Sequence, residues 1–170
     1  PSFFWGNYEL PWSHGFGGLD AGIKLIATDP VWIEDIFIKN KPEVTDITIQ
    51  ITIHNTMKQT IKGNLTISIF LKNHPQDIEW KHMAKGVNLR PGRVVFVYPT
   101  CIPDAKLWDL ENPGLYTNRV ELNVRRGEII DTKEQVFGFR WFEVRGLGKD
   151  AKLYLNGRRV VLRSAISWGF

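Results

Sequence analysis

Cysteine is almost absent from this chain of 170 residues, in which Cys101 is the only one. A single cysteine excludes an internal disulfide framework, so the fold has to be held by its core. The sequence also lacks an apolar run near the ~20 residues of a membrane-spanning helix. No basic segment followed by an apolar one stands at its start. Because Pro1 is not a natural start, we expect any export signal to lie upstream of it, and both a cytoplasmic and an exported location fit the sequence.

Charge of one sign is not concentrated anywhere in the sequence. The formal net charge is +4, and the basic residues are scattered, with short pairs at Arg125-Arg126 and Arg158-Arg159. A nucleic-acid-binding face needs a basic stripe or a recognisable motif. We therefore expect neither a nucleic-acid partner nor a membrane partner. Hydrophobic residues make up 43% and charged residues 24% of the chain, which is typical of a globular protein with one full domain and parts of neighbours.

A helical period is also missing, because no segment shows apolar residues at a spacing of 3.6. Alternation with a period of two is frequent instead, as in Ile47, Ile49, Ile51 and Ile53. Runs of this kind, separated by Pro, Gly and Asn turns, predict seven strands, at 31–39, 47–53, 65–71, 77–88, 94–98, 116–125 and 129–142. Seven short strands in about a hundred residues are typical of an all-β fold, an immunoglobulin-like antiparallel β-sandwich.

Turn and linker residues subdivide the chain further. Lys62-Gly63-Asn64 is interpreted as the turn before the strand at Leu65, and Arg126-Gly127 as a hairpin turn. Asn156-Gly157 predicts a type I′ hairpin, because both residues tolerate positive φ. The glycines and charged residues at 146–150 form a candidate hinge. Residues 1–29 are rich in aromatics and glycine, and within them 23–27 is predicted as a strand.

Three ordered motifs lie between residues 107 and 163. The first is a Leu-Trp, an Asn-Pro and a Leu-Tyr, the second is Phe137-Gly138-Phe139-Arg140, and the third is Leu155-Asn156-Gly157 followed by Leu162-Arg163. This order resembles the junction between accessory sandwich and catalytic barrel in glycoside hydrolase family 2, which includes β-galactosidase, β-glucuronidase and β-mannosidase relatives. The residues that carry the resemblance, all interpreted as structural, are Trp108, Pro113, Tyr116, Phe139, Arg140, Asn156, Gly157 and Arg163.

The resemblance implies an arrangement of domains and a role. Residues 1–29 would be the end of a sugar-binding jelly roll, 30–145 the sandwich, and 146–170 a hinge and the first hairpin of a (β/α)8 barrel. The parent would be a retaining β-glycosidase, and this piece its non-catalytic accessory domain. Its partners would be carbohydrate, through the parent, and the neighbouring jelly-roll and barrel domains. No cofactor and no metal are expected.

Physical roles can be assigned to three residues of the first motif. We expect Trp108 to close one end of the sandwich as an apolar plug. Pro113 fixes the turn into the following strand. The ring of Tyr116 can lie in the core while its hydroxyl reaches the backbone, as in a tyrosine corner.

Candidate catalytic residues are not convincing. Glycoside hydrolysis needs two carboxyl groups that flank the scissile bond, and the family places its acid/base Glu directly after an Asn. No Asn is followed by Glu in this sequence. Two of the three residues Asp131, Glu134 and Glu143 could be proposed as a catalytic pair. Their positions on predicted strands instead indicate that they lie on the solvated face of a sheet. We therefore predict no catalytic residue.

The histidines and the cysteine show no pattern of metal ligands. His14, His54, His74 and His82 are widely separated, and Cys101 is isolated from them. A zinc site needs three or four convergent ligands. We expect Cys101 to be a buried or half-buried small apolar residue.

The end of the sequence departs from the family. After the Leu-Arg step the family usually continues with Gly, an apolar residue, Asn, a variable residue and His. Here Ile166 and Trp168 stand at the Asn and His positions. This places the usual galactosidase or glucuronidase specificity in doubt and is compatible with a divergent subgroup. Residues 160–170 include six large apolar residues, so we expect this tail to pack on the sandwich or on residues 1–29, or to mediate self-association with another copy; the six are Val160, Val161, Leu162, Ile166, Trp168 and Phe170.

Aromatic residues near the start leave a second class of function open. Trp5, Tyr8 and Trp12 could stack on sugar rings, although a role as core or interface residues of the jelly roll is favoured. A stand-alone carbohydrate-binding module and an immunoglobulin-like domain that binds protein partners remain the alternatives to an accessory domain. A module would place these three rings on one exposed plane. An adhesion domain would not need the C-terminal motif.

Overall fold

A computed structural model describes residues 4–5, 8–9, 23–125 and 128–163 of the chain, with the backbone alone for 4–5, 8–9 and 125. The strands that it describes are β1 (Phe4–Trp5), β2 (Tyr8–Glu9), β3 (Val31–Asn40), β4 (Asp46–Asn55), β5 (Ile61–Leu71), β6 (Ile78–Leu89), β7 (Gly92–Cys101), β8 (Tyr116–Arg125), β9 (Glu128–Phe137), β10 (Phe142–Arg145), β11 (Lys152–Leu155) and β12 (Arg158–Val160).

Seven of these strands form a sandwich of two antiparallel sheets. Sheet I has the order β3-β4-β7, and sheet II has the order β6-β5-β8-β9. A 3-10 turn at Gly148–Asp150 is the helical element of the described residues. Within that part of the chain no helix is long and apolar enough to span a bilayer. The prediction of an all-β, immunoglobulin-like sandwich of about seven strands is confirmed.

The core lies between the two sheets and consists of the side chains that alternate along the central strands. Ile49 and Ile51 of β4, like Leu65 and Ile67 of β5, have no exposed surface. Each β-branched side chain suits a pleated surface, and alternation directs every second one inward. Val120 and Leu122 of β8 are buried as well. Phe96 is half-buried, because it lies on β7 at the edge of sheet I.

Two strand boundaries differ most from the sequence predictions. Gly63 lies inside β5 and not in a turn, next to a shift of register between Gly63 and Leu65. A Cβ on Gly63 would lie 2.8 Å from Leu89 Cδ1, so the glycine allows a close approach of β5 to β6. The last sandwich strand ends at Phe137 and does not continue to Phe142. The turn predicted at Arg126-Gly127 lies outside the described residues.

Side chains join the two sheets along β3 and β9. Asp131 Oδ2 accepts a hydrogen bond from Ile33 N at 2.7 Å. Lys133 Nζ donates to Glu34 O. Both backbone groups lie where the register of β3 shifts between Ile33 and Asp35, so the bulge frees them from the ladder with β4. These bonds close one side of the sandwich.

The carboxylate of Glu34 lies at the centre of a polar cluster beside this bulge. Arg93 Nε donates to its two oxygens at 2.8 and 2.7 Å. His54 Nδ1 lies 3.6 Å from Glu34 Oε2. The hydrogen bond from Arg93 holds the pKa of Glu34 below its usual value. The cluster links β3 to β4 and β7 on the solvent side of sheet I.

A third sheet, sheet III, follows the sandwich and has the order β10-β11-β12. Its strands pair antiparallel, with Val144 opposite Leu153 and Leu153 opposite Val160. The residues expected to form a hinge, 146–150, connect β10 to β11 within this sheet. They therefore form the turn between the paired strands β10 and β11, and not a hinge at the edge of the sandwich. The chain passes from sandwich to sheet III at residues 138–141.

The segment before the sandwich, residues 23–29, forms no strand or helix. Residues 23–29 have no strand partner among the described residues, so the strand predicted at 23–27 is wrong for this structure. Ile23, Leu25 and Ile26 are exposed by 84%, 96% and 68%. Three apolar side chains in water are unfavourable, so this segment carries exposed apolar area that a partner could cover.

The core predicts the effect of one substitution. Ile51→Ala removes a fully buried side chain of β4 and should lower the free energy of unfolding by about 2–5 kcal/mol. Urea denaturation of the chain, followed by circular dichroism, measures this change. The control is Val95→Ala, on the neighbouring strand with its side chain 55% exposed, where we expect about 0.5 kcal/mol or less. Equal effects of the two variants would contradict the assigned core.

Candidate functional site

Tyr116 anchors the region where the three sequence motifs meet to the core between the sheets. Its ring is fully buried and lies 5.0 Å from the ring of Phe139, edge-on, and 5.9 Å from that of Phe137. Its hydroxyl accepts a hydrogen bond from Lys106 N at 2.8 Å. Burial raises the pKa of Tyr116. The tyrosine corner predicted from sequence is therefore confirmed, and it anchors the loop before β8 to the core.

The loop between β7 and β8 is shaped by Asp109. Its Oδ1 accepts hydrogen bonds from Glu111 N at 2.9 Å and Asn112 N at 2.7 Å. These backbone donors hold the pKa of Asp109 below its usual value. An isolated antiparallel bridge joins Trp108 to Pro113 across the same loop. These bonds hold the loop closed, and they place Trp108 next to the segment 138–141, which leaves the sandwich.

The Phe-Gly-Phe-Arg motif packs against one side of the Trp108 ring. A Cβ on Gly138 would lie 2.8 Å from Trp108 Cβ, so only glycine fits against the indole. Trp108 N donates to Phe139 O at 2.9 Å. The guanidinium of Arg140 lies 4.8 Å from the centroid of the indole, in cation–π contact. Trp108 is half-buried, so it closes the end of the sandwich as a contact surface and not as a fully buried plug.

Asn156 brings the third motif onto the same loop. Asn156 and Gly157 have φ of 50° and 77°, which confirms the predicted type I′ turn between β11 and β12. Asn156 Oδ1 accepts from Trp141 N at 2.8 Å. Its own N donates to Trp141 O at 2.8 Å. Its Nδ2 donates to Trp108 O at 2.9 Å. One side chain therefore connects sheet III, the linking segment and the sandwich loop.

These contacts define one group, which we call the junction cluster. Its members are Trp108, Gly138, Phe139, Arg140, Trp141 and Asn156. After the two backbone hydrogen bonds, the positive charge of Arg158 also contributes to the lowered pKa of Asp109. Asn40 Nδ2 donates to Gly138 O at 3.1 Å and ties the end of β3 to the linking segment.

The junction cluster offers no acid–base pair, and the three carboxylates considered from sequence do not converge. Asp131 and Glu134 are an odd number of residues apart on β9, so they point to opposite faces. Asp131 bonds to the bulge of β3 and is partly buried, so it is not merely a solvated residue as predicted. Glu134 pairs with Arg119 at 2.6 Å. Glu143 lies on sheet III and pairs with Arg145.

The histidines and the cysteine do not form a metal site in the described part of the chain. No group of three or more His, Cys, Asp or Glu side chains in 23–125 and 128–163 could hold a metal ion. His14 lies outside the described residues. Cys101 is exposed, and the expectation of a buried residue is wrong, because it occupies an outward position at the end of the edge strand β7.

Several residues that were predicted to have a role lie at the edge of the described residues or outside them. Trp5 and Tyr8 face each other in the backbone pairing of β1 with β2, but their side chains, and all of Trp12, lie outside the described residues. Arg163 is exposed at the end of the described chain. The departures at Ile166 and Trp168, with the expected packing of the tail, also lie outside it.

Sequence reasoning missed three residues in or beside the junction cluster, which are Trp141, Asp109 and Asn40. Gly138 was part of the second motif, but its contact with Trp108 was not predicted, although a glycine in a strand pattern often marks close approach of another group. Nothing in the local sequence shows that Asn40 reaches Gly138, because 98 residues separate them.

The chain is similar to several known glycosidases over limited parts of their lengths. A putative β-glucuronidase of Formosa agariphila is 48% identical over 62 residues, which cover 36% of this chain and 7% of that protein. A β-galactosidase of Thermoanaerobacterium thermosulfurigenes is 30% identical over 164 residues, covering 87% of this chain and 20% of that protein. The crystal structure of a β-glucuronidase of Bacteroides uniformis aligns with a TM-score of 0.65 at 21% identity, covering 77% of this chain and 16% of that one.

The family comparison covers the sandwich and reaches the junction cluster. The family model of Glycosyl hydrolases family 2 matches residues 31–140, from the first residue of β3 to Arg140. The chain itself spans about a fifth or less of the length of these relatives. With the match over 31–140, the three ordered motifs and the shared fold, this chain belongs to glycosyl hydrolases family 2.

Proposed function

We propose that this chain is the non-catalytic accessory sandwich of a family 2 retaining β-glycosidase. The parent would hydrolyse O-glycosyl bonds in oligosaccharides or polysaccharides, and carbohydrate would be bound through the parent. The sandwich would hold a sugar-binding domain and a catalytic barrel in a fixed relation. The names of the similar proteins support the class of reaction, since they include β-galactosidases and β-glucuronidases.

The observation that carries this proposal is the bonding of Asn156. A spacer needs a rigid connection to the domain that follows it, because relative motion is the default between domains joined by a small interface. Asn156 supplies three hydrogen bonds to two separate segments, at Trp108 and Trp141. Arg140 on the indole of Trp108 adds a contact from the linking segment itself. Sheet III is thus oriented by the sandwich and not by a flexible linker.

Two apolar surfaces fit the proposed neighbours. On sheet III, Phe142 and Val144 lie on one face with 50% and 60% of their side chains exposed. The residues that follow β12, Val161 and Leu162, are 71% and 65% exposed. We infer that the barrel covers this face. Residues 23–29, with Ile23, Leu25 and Ile26 exposed, would complete a sheet of the jelly roll at the other end of the sandwich.

The first prediction concerns catalysis. We expect the 170-residue chain to hydrolyse p-nitrophenyl β-galactoside and β-glucuronide no faster than buffer, because Asp131, Glu134 and Glu143 do not face one another across a site. The measurement is nitrophenolate release at high protein concentration. The control is the triple variant Asp131→Asn, Glu134→Gln, Glu143→Gln purified in the same way. Turnover in the chain that the triple variant loses would contradict a non-catalytic role.

The second prediction concerns the rigidity of the junction. Asn156→Gly keeps the positive φ of the turn but removes both side-chain hydrogen bonds, which are worth about 1–3 kcal/mol together. We expect the backbone of sheet III to tumble with the sandwich in the unmodified chain and more independently in the variant. Amide ¹⁵N relaxation by NMR measures this difference.

Asn88→Ala is the matched control for this experiment. Asn88 is an exposed asparagine of β6 that makes no side-chain hydrogen bond to the described residues, so its variant should relax like the unmodified chain. Independent tumbling of sheet III in the unmodified chain would overturn the spacer role, whatever the variants do.

A further inference from the structure

A row of three rings lies on the side of the sandwich opposite the Asp131 and Lys133 bridges. The rings of Trp80 and His82 are nearly parallel, at 20°, with centroids 5.9 Å apart. The ring of Tyr98 lies 5.2 Å from that of His82, tilted by 50°. Trp80 and His82 belong to β6 and Tyr98 to β7, the edge strands of sheets II and I. We call these three residues the ring row.

The ring row faces the space between the sheets and still reaches water. Trp80 and His82 pair with Ile69 and Ile67 of β5, whose side chains are fully buried, so they point to the inner face of sheet II. Trp80 and Tyr98 are nevertheless half-buried and His82 is exposed. No described strand continues either sheet beyond β6 and β7, so the inner faces open to solvent here.

The polar groups of the ring row are available for a ligand. Within residues 23–125 and 128–163 neither the imidazole of His82 nor the hydroxyl of Tyr98 makes a hydrogen bond. Lys81 lies on the opposite face of β6 from His82. Glu79 lies beside Trp80 at the register shift of β6, and after burial its carboxylate also contributes to the raised pKa of Tyr116, so the charge next to the ring row is negative and disfavours an acidic ligand. No charged residue follows Arg93 in β7. A neutral ligand therefore matches this surface better than an acidic one.

We propose that the ring row binds a neutral β-linked oligosaccharide. The negative face of an aromatic ring attracts the C–H groups of a pyranose ring, and the rings of Trp80 and His82, 5.9 Å apart, place two such rings in succession along β6. The imidazole of His82 and the hydroxyl of Tyr98 supply hydrogen bonds to sugar hydroxyls. This site goes beyond the spacer role, and either proposal can fail without the other.

The experiment is an NMR titration of the 170-residue chain, with ¹³C-labelled histidine rings and ¹⁵N-labelled indoles. The probes are β-1,4-galactotetraose and cellotetraose as neutral chains and a glucuronate-containing tetrasaccharide as an acidic one. We expect the signals of His82 and Trp80 to shift and saturate with at least one neutral probe. His82→Ala and Tyr98→Phe should each weaken that binding about tenfold or more. Tyr98→Phe keeps the ring, so this variant tests the hydroxyl with the packing retained.

The matched control lies on the other sheet. His54 also adjoins a tryptophan, with its ring 4.5 Å from that of Trp32 on the solvent face of sheet I. His54→Ala should leave the affinity for the neutral probe unchanged. Saturable shifts that survive His82→Ala and Tyr98→Phe would overturn the site. So would no shift with either neutral probe, binding of the acidic probe alone, or a dimer that His82→Ala dissociates.

Discussion

Burial of side chains that alternate along β4, β5 and β8 holds the two sheets together. Ile49 and Ile51 on one sheet face the other sheet's Leu65, Ile67 and Val120, and all five have no exposed surface. Without a disulfide framework in the described part of the chain, this apolar contact is the main stabilising interaction. The register of every neighbouring strand follows from it, since a slip by one residue would turn each isoleucine to water.

The two lateral sides of the sandwich differ, and the difference has a chemical cause. Along β3 and β9, a bulge frees backbone groups of β3, and Asp131 and Lys133 of β9 satisfy them. Along β6 and β7 one such bond occurs among the described residues, from Asn55 Nδ2 at the end of β4 to Leu89 O at the end of β6. Away from that end, this side is lined by the half-buried rings of Trp80 and Tyr98. The sandwich is thus bridged along one side and only at one end of the other, which leaves the stretch at the rings open.

The junction cluster depends on the core in turn. Tyr116 is held between the sheets, and its hydroxyl fixes the loop that presents Trp108. Gly138 lets the chain pass directly over the indole, and Asn156 then bonds to the carbonyl of Trp108 from sheet III. Each step positions the next, so the orientation of sheet III is transmitted from the hydrophobic core through hydrogen bonds. This is the property that a spacer between two domains requires.

The sequence by itself determined the fold class, the alternating core, the tyrosine corner and the turn at Asn156-Gly157. Each of these depends on residues that are close in the chain or on a period of two. Only the tertiary structure decided where β9 ends, what Asp131 binds and how Asn156 reaches Trp108. The predicted hinge at 146–150 became a hairpin connection, and Cys101 proved exposed, because strand partners and edges are set by pairing between distant segments. The physical reason is that a hydrogen bond such as that from Asn40 to Gly138 joins residues 98 positions apart, and no local pattern encodes such a contact.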